Sequence, residues 1–237
     1  MPTPAVNAGG VINGASFTAP VAPGSIASVF GDFYLSSAVV ASSVPLSTDL
    51  SDLSFNFGSS AAPLFFVSSG QANVQVPWEV TGTSSSITPT LFGTAGTGQN
   101  VTVATYAPAI FSMNSQGSGA GAILDSNYNL VSTSNPATPG TTVILIYCTG
   151  LGPVTNQPAT GAAGPSQEPF AQTTTTPTVT IGGVPSSNVS YAGLAPGFVG
   201  LYQVNAQVPA GIAANSATPV TITIGGVTSN TVTIAVN

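Results

Sequence analysis

Short segments in which apolar and polar residues alternate run along the whole chain. Near the C-terminus, residues 221–224 and 231–236 carry apolar side chains at every second position, with Gly225-Gly226 between them. Period-two alternation is typical of half-buried strands, and a glycine pair between two such segments favours a hairpin. No segment keeps a helical period, so the pattern predicts an all-β protein. The other predicted strands are 26–30, 53–57, 64–67, 72–76, 88–92, 101–106, 142–148, 179–181, 188–191 and 201–208.

An internal repeat groups these strands into two sets. QANVQVP at 71–77 recurs as QVNAQVP at 203–209, and PGS at 23–25 recurs as PGT at 139–141. Two copies of about seven strands each, with frequent turns, favour two tandem immunoglobulin-like β-sandwich domains related by internal duplication. We expect domain 1 at 1–107, with an extended N-terminal segment. Domain 2 is expected at 108–237, with a long surface loop at about 152–177.

Several longer motifs occur together along the chain: APGS at 22–25, VPWE at 76–79, APAIF at 107–111, GLGPV at 150–154 and LAPGFVGLYQVN at 194–205. In this combination they resemble the Solibacter-type C-terminal domain family of secreted acidobacterial proteins, over nearly the whole chain from Gly9 onward. The resemblance implies secretion and a β-rich fold. It implies no activity and no catalytic residues.

The chain contains no lysine, arginine or histidine, and six Asp and Glu residues give a formal net charge of −6. Without cationic side chains nothing neutralises phosphates, which argues against nucleic-acid binding. Without imidazole there is no Ser-His or Cys-His nucleophile and no histidine metal site. No run of eighteen apolar residues exists, so no membrane insertion is expected. We therefore predict a protein that is not an enzyme and has no cofactor or metal.

The few reactive side chains have ordinary structural interpretations. Cys148 ends an apolar segment with no basic neighbour, which favours a buried, inert thiol. Asp49 and Asp52 could offer oxygens to calcium, but turn and capping roles are favoured because the segment lacks other ligands. A glycosidase pair would need Glu79 beside Asp125 or Asp52, and nothing in the sequence brings them together.

Trp78 is the candidate ligand contact. It follows the first QxNxQVP motif, whereas the second motif is followed by Ala210, so the indole is not part of the repeated scaffold. A sugar-stacking platform is one interpretation, and packing between the domains is the favoured one.

The N-terminal segment supplies the candidate assembly contacts Val6, Val11, Ile12 and Phe17. An uncharged sheet edge lacks the lysines that normally prevent edge-to-edge pairing, so these residues could join a neighbouring subunit. The alternative is that residues 9–17 form the first strand of domain 1 itself.

Together these observations predict a non-enzymatic, secreted structural protein whose partner is itself, a homopolymer forming an extracellular filament or surface layer on the cell surface. The alternative is a monomeric adhesion or carbohydrate-binding module that contacts polysaccharide through Trp78, Tyr191, Tyr202 and exposed loops. Because paired carboxylates and histidines are missing, we also expect unusual tolerance to acid.

Overall fold

The computed structural model describes residues 3–237, and within this range the regular structure consists of β-strands and turns. Domain 1 contains eleven strands: β1 (Ala5–Asn13), β2 (Ile26–Asp32), β3 (Val39–Val40), β4 (Asp49–Leu50), β5 (Leu53–Phe57), β6 (Ser60–Ala61), β7 (Leu64–Val67), β8 (Gln71–Gln75), β9 (Ser84–Leu91), β10 (Thr94–Ala95) and β11 (Gln99–Thr102).

Domain 2 contains the remaining ten: β12 (Ala109–Ile110), β13 (Ile123–Asp125), β14 (Val143–Thr149), β15 (Thr178–Ile181), β16 (Val184–Pro185), β17 (Val189–Leu194), β18 (Tyr202–Gln207), β19 (Asn215–Ile224), β20 (Val227–Thr228) and β21 (Val232–Val236).

Each domain is an immunoglobulin-like sandwich of two antiparallel sheets. In domain 1 the sheets have the orders β1-β2-β8-β7-β3 and β10-β9-β5-β4, with β11 on β9 and β6 on β5. In domain 2 they have the orders β12-β14-β18-β17 and β16-β15-β19-β20, with β13 on β14 and β21 on β19. The repeated motifs occupy equivalent strands, β8 and β18. The predicted all-β fold with two duplicated sandwiches is confirmed.

The alternating amides of the repeated motif have the same role in both copies. Gln71 donates its Nε2 to Asn73 Oδ1 at 2.9 Å, and Gln203 donates to Asn205 Oδ1 at 2.8 Å. The intervening apolar side chains, such as Val74 and Val204, are buried. One strand face therefore satisfies its polar groups along the strand while the other fills the core.

Two apolar cores form, one in each domain. The core of domain 1 is centred on Phe33 and Phe55, whose rings meet edge to face with centroids 5.1 Å apart. In the core of domain 2 the largest buried side chain is Tyr202, which donates its hydroxyl to Gly152 O at 2.6 Å. The buried Tyr202 is therefore a core residue and not an exposed contact.

The outer edges of the last strands are covered by other segments of the same chain. Val21 N donates to Thr102 O and Ala104 N donates to Val21 O, which covers the edge beyond β11. In domain 2, Thr233 N donates to Gly119 O and Ala137 N donates to Ala235 O, which covers β21. Strand addition at these two edges would first have to displace these segments.

The N-terminal segment forms β1, antiparallel to β2 of the same domain. Val6 and Val11 are buried in the core of domain 1, and Ile12 and Phe17 are half-buried. A first strand belonging to domain 1 is therefore present, but it spans Ala5–Asn13 and not 9–17, and Phe17 lies in the turn that follows it. In this arrangement the side chains of Val6 and Val11 are not accessible to a neighbouring subunit.

Candidate functional site

The two domains meet head to tail. Ile26, the first residue of β2, donates its N–H to Thr149 Oγ1, on the last residue of β14, at 2.9 Å. β2 and β14 are equivalent strands of the two domains. Domain 1 therefore contributes to the contact the end of its sandwich where β2 begins, and domain 2 contributes the end of its sandwich where β14 finishes. We call these the leading end and the trailing end, and their contact the junction. The Thr149 hydroxyl is fully buried there and itself donates to Gly200 O at 2.8 Å.

A buried amide from domain 1 joins the junction to the long loop of domain 2. Gln75 Oε1 accepts the N–H of Gly161 at 2.6 Å, and its side chain is fully buried. Gly161 O in turn accepts the N–H of Leu46 at 2.9 Å. The loop predicted at 152–177 therefore lies only partly on the surface, because its central glycine is buried against domain 1.

Trp78 connects the two domains. Its six-membered ring lies so close to Gly24 that a Cβ at that position would overlap it. The half-buried indole also packs against the core of domain 2. Its backbone N–H donates to Thr160 Oγ1 at 3.1 Å, and the Thr160 hydroxyl donates to Glu79 Oε2 at 2.8 Å. Trp78 therefore packs between the domains, which was the favoured interpretation of this residue.

The indole nitrogen has no hydrogen-bond partner. Within residues 3–237, Trp78 Nε1 is the one buried side-chain nitrogen or oxygen atom of which this is true. A buried unpaired donor costs about 1–3 kcal/mol, so this nitrogen destabilises the junction and the packing of the large indole ring must offset that cost.

Tyr106 is a second junction aromatic, and its role was missed in the sequence. Its ring lies between Gly152 and Gly225, and a Cβ at either glycine would collide with it. Its hydroxyl shares a 2.8 Å hydrogen bond with Thr175 Oγ1. The sequence pattern places this residue at the end of a predicted strand, whereas β11 ends at Thr102. Its proximity to the Gly225-Gly226 turn arises only from the relative position of the two domains.

A cleft of about 300 Å³ lies beside Trp78. Residues from both domains line it, and several of them are exposed, so the cleft opens to solvent. None of its lining residues carries a charge. Its lining includes Pro23, Trp78, Thr81, Thr105, Pro153 and Gln157.

The structure separates the carboxylates that would have to meet in a hydrolase. Glu79 lies at the junction, and Asp52 lies in the β4–β5 turn at the trailing end of domain 1. Asp125 ends β13 and accepts the N–H groups of Asn127 and Asn129. The Asn129 N–H and the Asn135 amide are the main groups that lower the pKa of Asp125 below its ordinary 3.8.

The remaining reactive candidates have structural environments. Asp49 Oδ1 accepts the N–H of Asp52 at 3.1 Å, which is a turn contact. Cys148 is fully buried in the core of domain 2, and burial raises the pKa of its thiol far above 9.0. Within residues 3–237 no group of three or more Asp, Glu, Cys or His side chains is arranged to hold a metal ion. No helix of the described residues is long and apolar enough to cross a membrane.

No family model and no curated protein matches this sequence, so the resemblance to the Solibacter-type family stays a prediction. Among solved structures, the chain is similar to a surface glycan-binding protein of Bacteroides ovatus solved with a mixed-linkage heptasaccharide (13% identity, TM-score 0.37). The alignment covers 92% of this chain and 43% of that one, so the chain spans less than half of that protein.

Two further solved structures are similar. Domains 5–6 of the S-layer protein SbsC align with 16% identity and a TM-score of 0.30, over 99% of this chain and 98% of that one. The I9–I11 tandem of titin aligns with 10% identity and a TM-score of 0.22, over 91% and 62%. These likenesses concern the fold alone, and no function is transferred from them.

Proposed function

We propose that the protein is a non-enzymatic extracellular structural protein that assembles end to end with copies of itself into a filament or surface layer. The head-to-tail junction is the observation that carries this proposal. A contact between unlike ends leaves one leading end and one trailing end free on the same molecule. Contacts of this type continue into open chains unless the rotation closes a ring.

The two free ends carry side chains of a different size from those at the equivalent positions of the junction. The strand registers make Phe92, in the β9–β10 turn, equivalent to Gly225, in the β19–β20 turn. Phe92 is 51% exposed at the free trailing end of domain 1. At the free leading end of domain 2, Ala210 stands where the repeat places Trp78 in domain 1. A protruding ring on one end and a short side chain on the other favour contact between copies.

The charge distribution favours association more strongly in acid. Asp32 and Asp52 lie at the trailing end of domain 1, and Asp125 pairs with Ile144 near the leading end of domain 2. An end-to-end contact brings these negative charges toward each other without any cation between them. Carboxylates become neutral in acid, so the repulsion decreases there.

Negative-stain electron microscopy of micromolar protein at neutral and acidic pH tests the proposal. We expect linear fibres or sheets whose axial repeat is one two-domain molecule, with more assembly at acidic pH. Dispersed two-lobed particles at both pH values would contradict it.

A matched pair of variants tests the location of the contact. Phe92→Asp introduces a charge at the free trailing end, and aspartate tolerates the positive φ of 47° found there. Phe198→Asp changes an aromatic residue of similar exposure, 57%, in the loop between β17 and β18. We expect Phe92→Asp to abolish fibres and Phe198→Asp to retain them. Equal assembly of both variants would argue against the trailing end as the contact.

A further inference from the structure

The cleft beside Trp78 has the chemistry of a ligand site, which is independent of the proposed self-assembly. We propose that it binds a neutral carbohydrate, one or two pyranose rings at a time. Its volume of about 300 Å³ lies at the lower end of the range for small-molecule sites. Because the cleft opens to solvent, those rings can belong to a longer neutral polysaccharide.

The cleft combines apolar surfaces with polar groups at its rim. Trp78, Pro23 and Pro153 supply apolar area, and Thr81, Thr105 and Gln157 are exposed at the rim. The ring faces of a pyranose carry C–H groups and its edges carry hydroxyls. An indole flanked by prolines can stack against the C–H groups of the ring faces, and side chains that both donate and accept hydrogen bonds can pair with the hydroxyls of the edges.

The absence of charge among the lining residues selects the class of ligand. No lysine, arginine or histidine exists anywhere in the chain to pair with a uronic acid, a sulfate or a phosphate. The carboxylate nearest in sequence to the indole, Glu79, adds a negative charge close to the cleft. Acidic sugars would therefore lose hydration without gaining a partner, whereas neutral sugars pay no such cost.

The aromatic platform is already fixed in position. Gly24 lies under the six-membered ring, and the Thr160 hydroxyl holds the backbone of Trp78. A ring that cannot turn away loses little entropy when a ligand binds, which favours affinity from a small contact area.

The chain contains a single tryptophan, so its tryptophan emission, excited selectively over that of the six tyrosines, reports on this cleft alone. The experiment titrates the full chain with glucose, cellobiose, maltose and mannobiose, and with glucuronic acid as the charged comparison. We expect a saturable change of Trp78 emission with at least one neutral sugar and none with glucuronic acid. Concentrations up to about 50 mM would saturate a site with a Kd of about 1 mM.

Rim variants test the location without disturbing the junction aromatics. Thr105→Val and Gln157→Ala each remove a polar group from the cleft, and we expect each to weaken binding about fivefold, the loss of one hydrogen bond. Thr102→Val, on the preceding strand, and Gln167→Ala, in the same long loop, are matched controls outside the cleft lining and should bind like the unmodified protein.

The proposal would be overturned by the absence of a saturable change with any neutral sugar, or by equal affinity in the rim variants and their controls. Stronger binding of glucuronic acid than of every neutral sugar would also overturn it. The titration is done on monodisperse protein, so its result does not depend on whether fibres form.

Discussion

The ring of Trp78 lies over Gly24, and the equivalent pair in the second domain is Ala210 and Gly140. There, a Cβ built on Gly140 would lie 3.3 Å from the Ala210 Cβ, so that Ala210 would have to shift by only a few tenths of an ångström. Both glycines have a positive φ, +76° and +72°. The duplication therefore kept the turn in both copies. The large ring is present only at the leading end of domain 1, which faces the other domain, and not at the free leading end of domain 2.

This pair allows the packing contribution of Trp78 to be measured. Gly24→Ala and Gly140→Ala both place a side chain in the left-handed region, which costs about 1–2 kcal/mol. Only Gly24→Ala also forces a Cβ into the Trp78 ring, and overpacking of this kind adds about 1–3 kcal/mol. We expect Gly24→Ala to lower the free energy of unfolding more than Gly140→Ala, as measured by urea denaturation.

Trp78 emission adds an independent check on the same pair. Gly24→Ala should change the emission of the folded protein, because the ring must move, and Gly140→Ala should leave it unchanged. Equal destabilisation and equal emission in the two variants would show that Gly24 is needed only for its backbone conformation.

The junction amide offers a second matched pair, Gln75 and Gln207. Gln75 is fully buried and accepts the Gly161 N–H, whereas the partly exposed Gln207 donates to Gly140 O at 2.8 Å. Gln75→Ala leaves a buried backbone N–H unpaired, which costs about 1–3 kcal/mol. Gln207→Ala leaves a carbonyl that water can reach, so its effect should be smaller.

Hydrogen exchange of the Gly161 amide distinguishes the two variants directly. We expect the exchange protection of this amide to be lost in Gln75→Ala and retained in Gln207→Ala. Retained protection in Gln75→Ala would mean that the loop is held against domain 1 by other contacts.

Strands with strong alternation were predictable from the sequence, and the junction was not. The predicted segment 53–57 coincides with β5, because its apolar side chains stand at every second position and face one core. The segment 64–67 coincides with β7 and was predictable as a short, continuous apolar run. The two-residue strand β12 was missed because it is too short to show a period. The Gly-rich β1 was left between two interpretations, since glycine carries no side chain that could indicate a face.

The cleft beside Trp78 depends on the position of one domain relative to the other. Trp78 was identified because it interrupts the repeat, but Thr105 and Gln157 are ordinary polar residues in the sequence. Nothing in a local pattern indicates that Pro153 of the long loop lies near Pro23. Sequence reasoning therefore singled out Trp78 and missed the polar residues at the rim of the cleft, and the role of Trp78 as a ligand contact stays a prediction.

Cys148 is expected to report on unfolding of domain 2. The thiol is fully buried and its pKa is raised by burial, so the reactive thiolate does not form in the folded state. We expect no labelling by a maleimide under native conditions and rapid labelling in urea. The control is the double variant Cys148→Ala/Ser126→Cys, which moves the single thiol to the exposed position 126. This variant should be labelled at once in the folded state. Rapid native labelling of Cys148 would contradict the buried environment.

The pH dependence of stability should be shallow in acid and steep in alkali. Asp125 has a lowered pKa, so its contribution is present above 3.8 and is lost only as the pH falls through its lower folded value. Burial raises the pKa values of Tyr202 and Cys148 above their ordinary 10.0 and 9.0. Their stabilising contribution is complete below those ordinary values and is lost as the pH rises above them, since the unfolded chain then releases protons that the folded chain keeps.

Tyr202→Phe tests the alkaline part of this dependence. At neutral pH the variant loses the hydrogen bond from the Tyr202 hydroxyl to Gly152 O, which costs about 1 kcal/mol. Above pH 10 the unmodified protein loses about 1.4 kcal/mol per pH unit through this buried phenol, and the variant does not. In urea denaturation between pH 7 and about pH 11.5, the difference between the two proteins should therefore shrink and then reverse. Parallel curves across this range would mean that Tyr202 ionises as readily in the folded protein as in the unfolded chain.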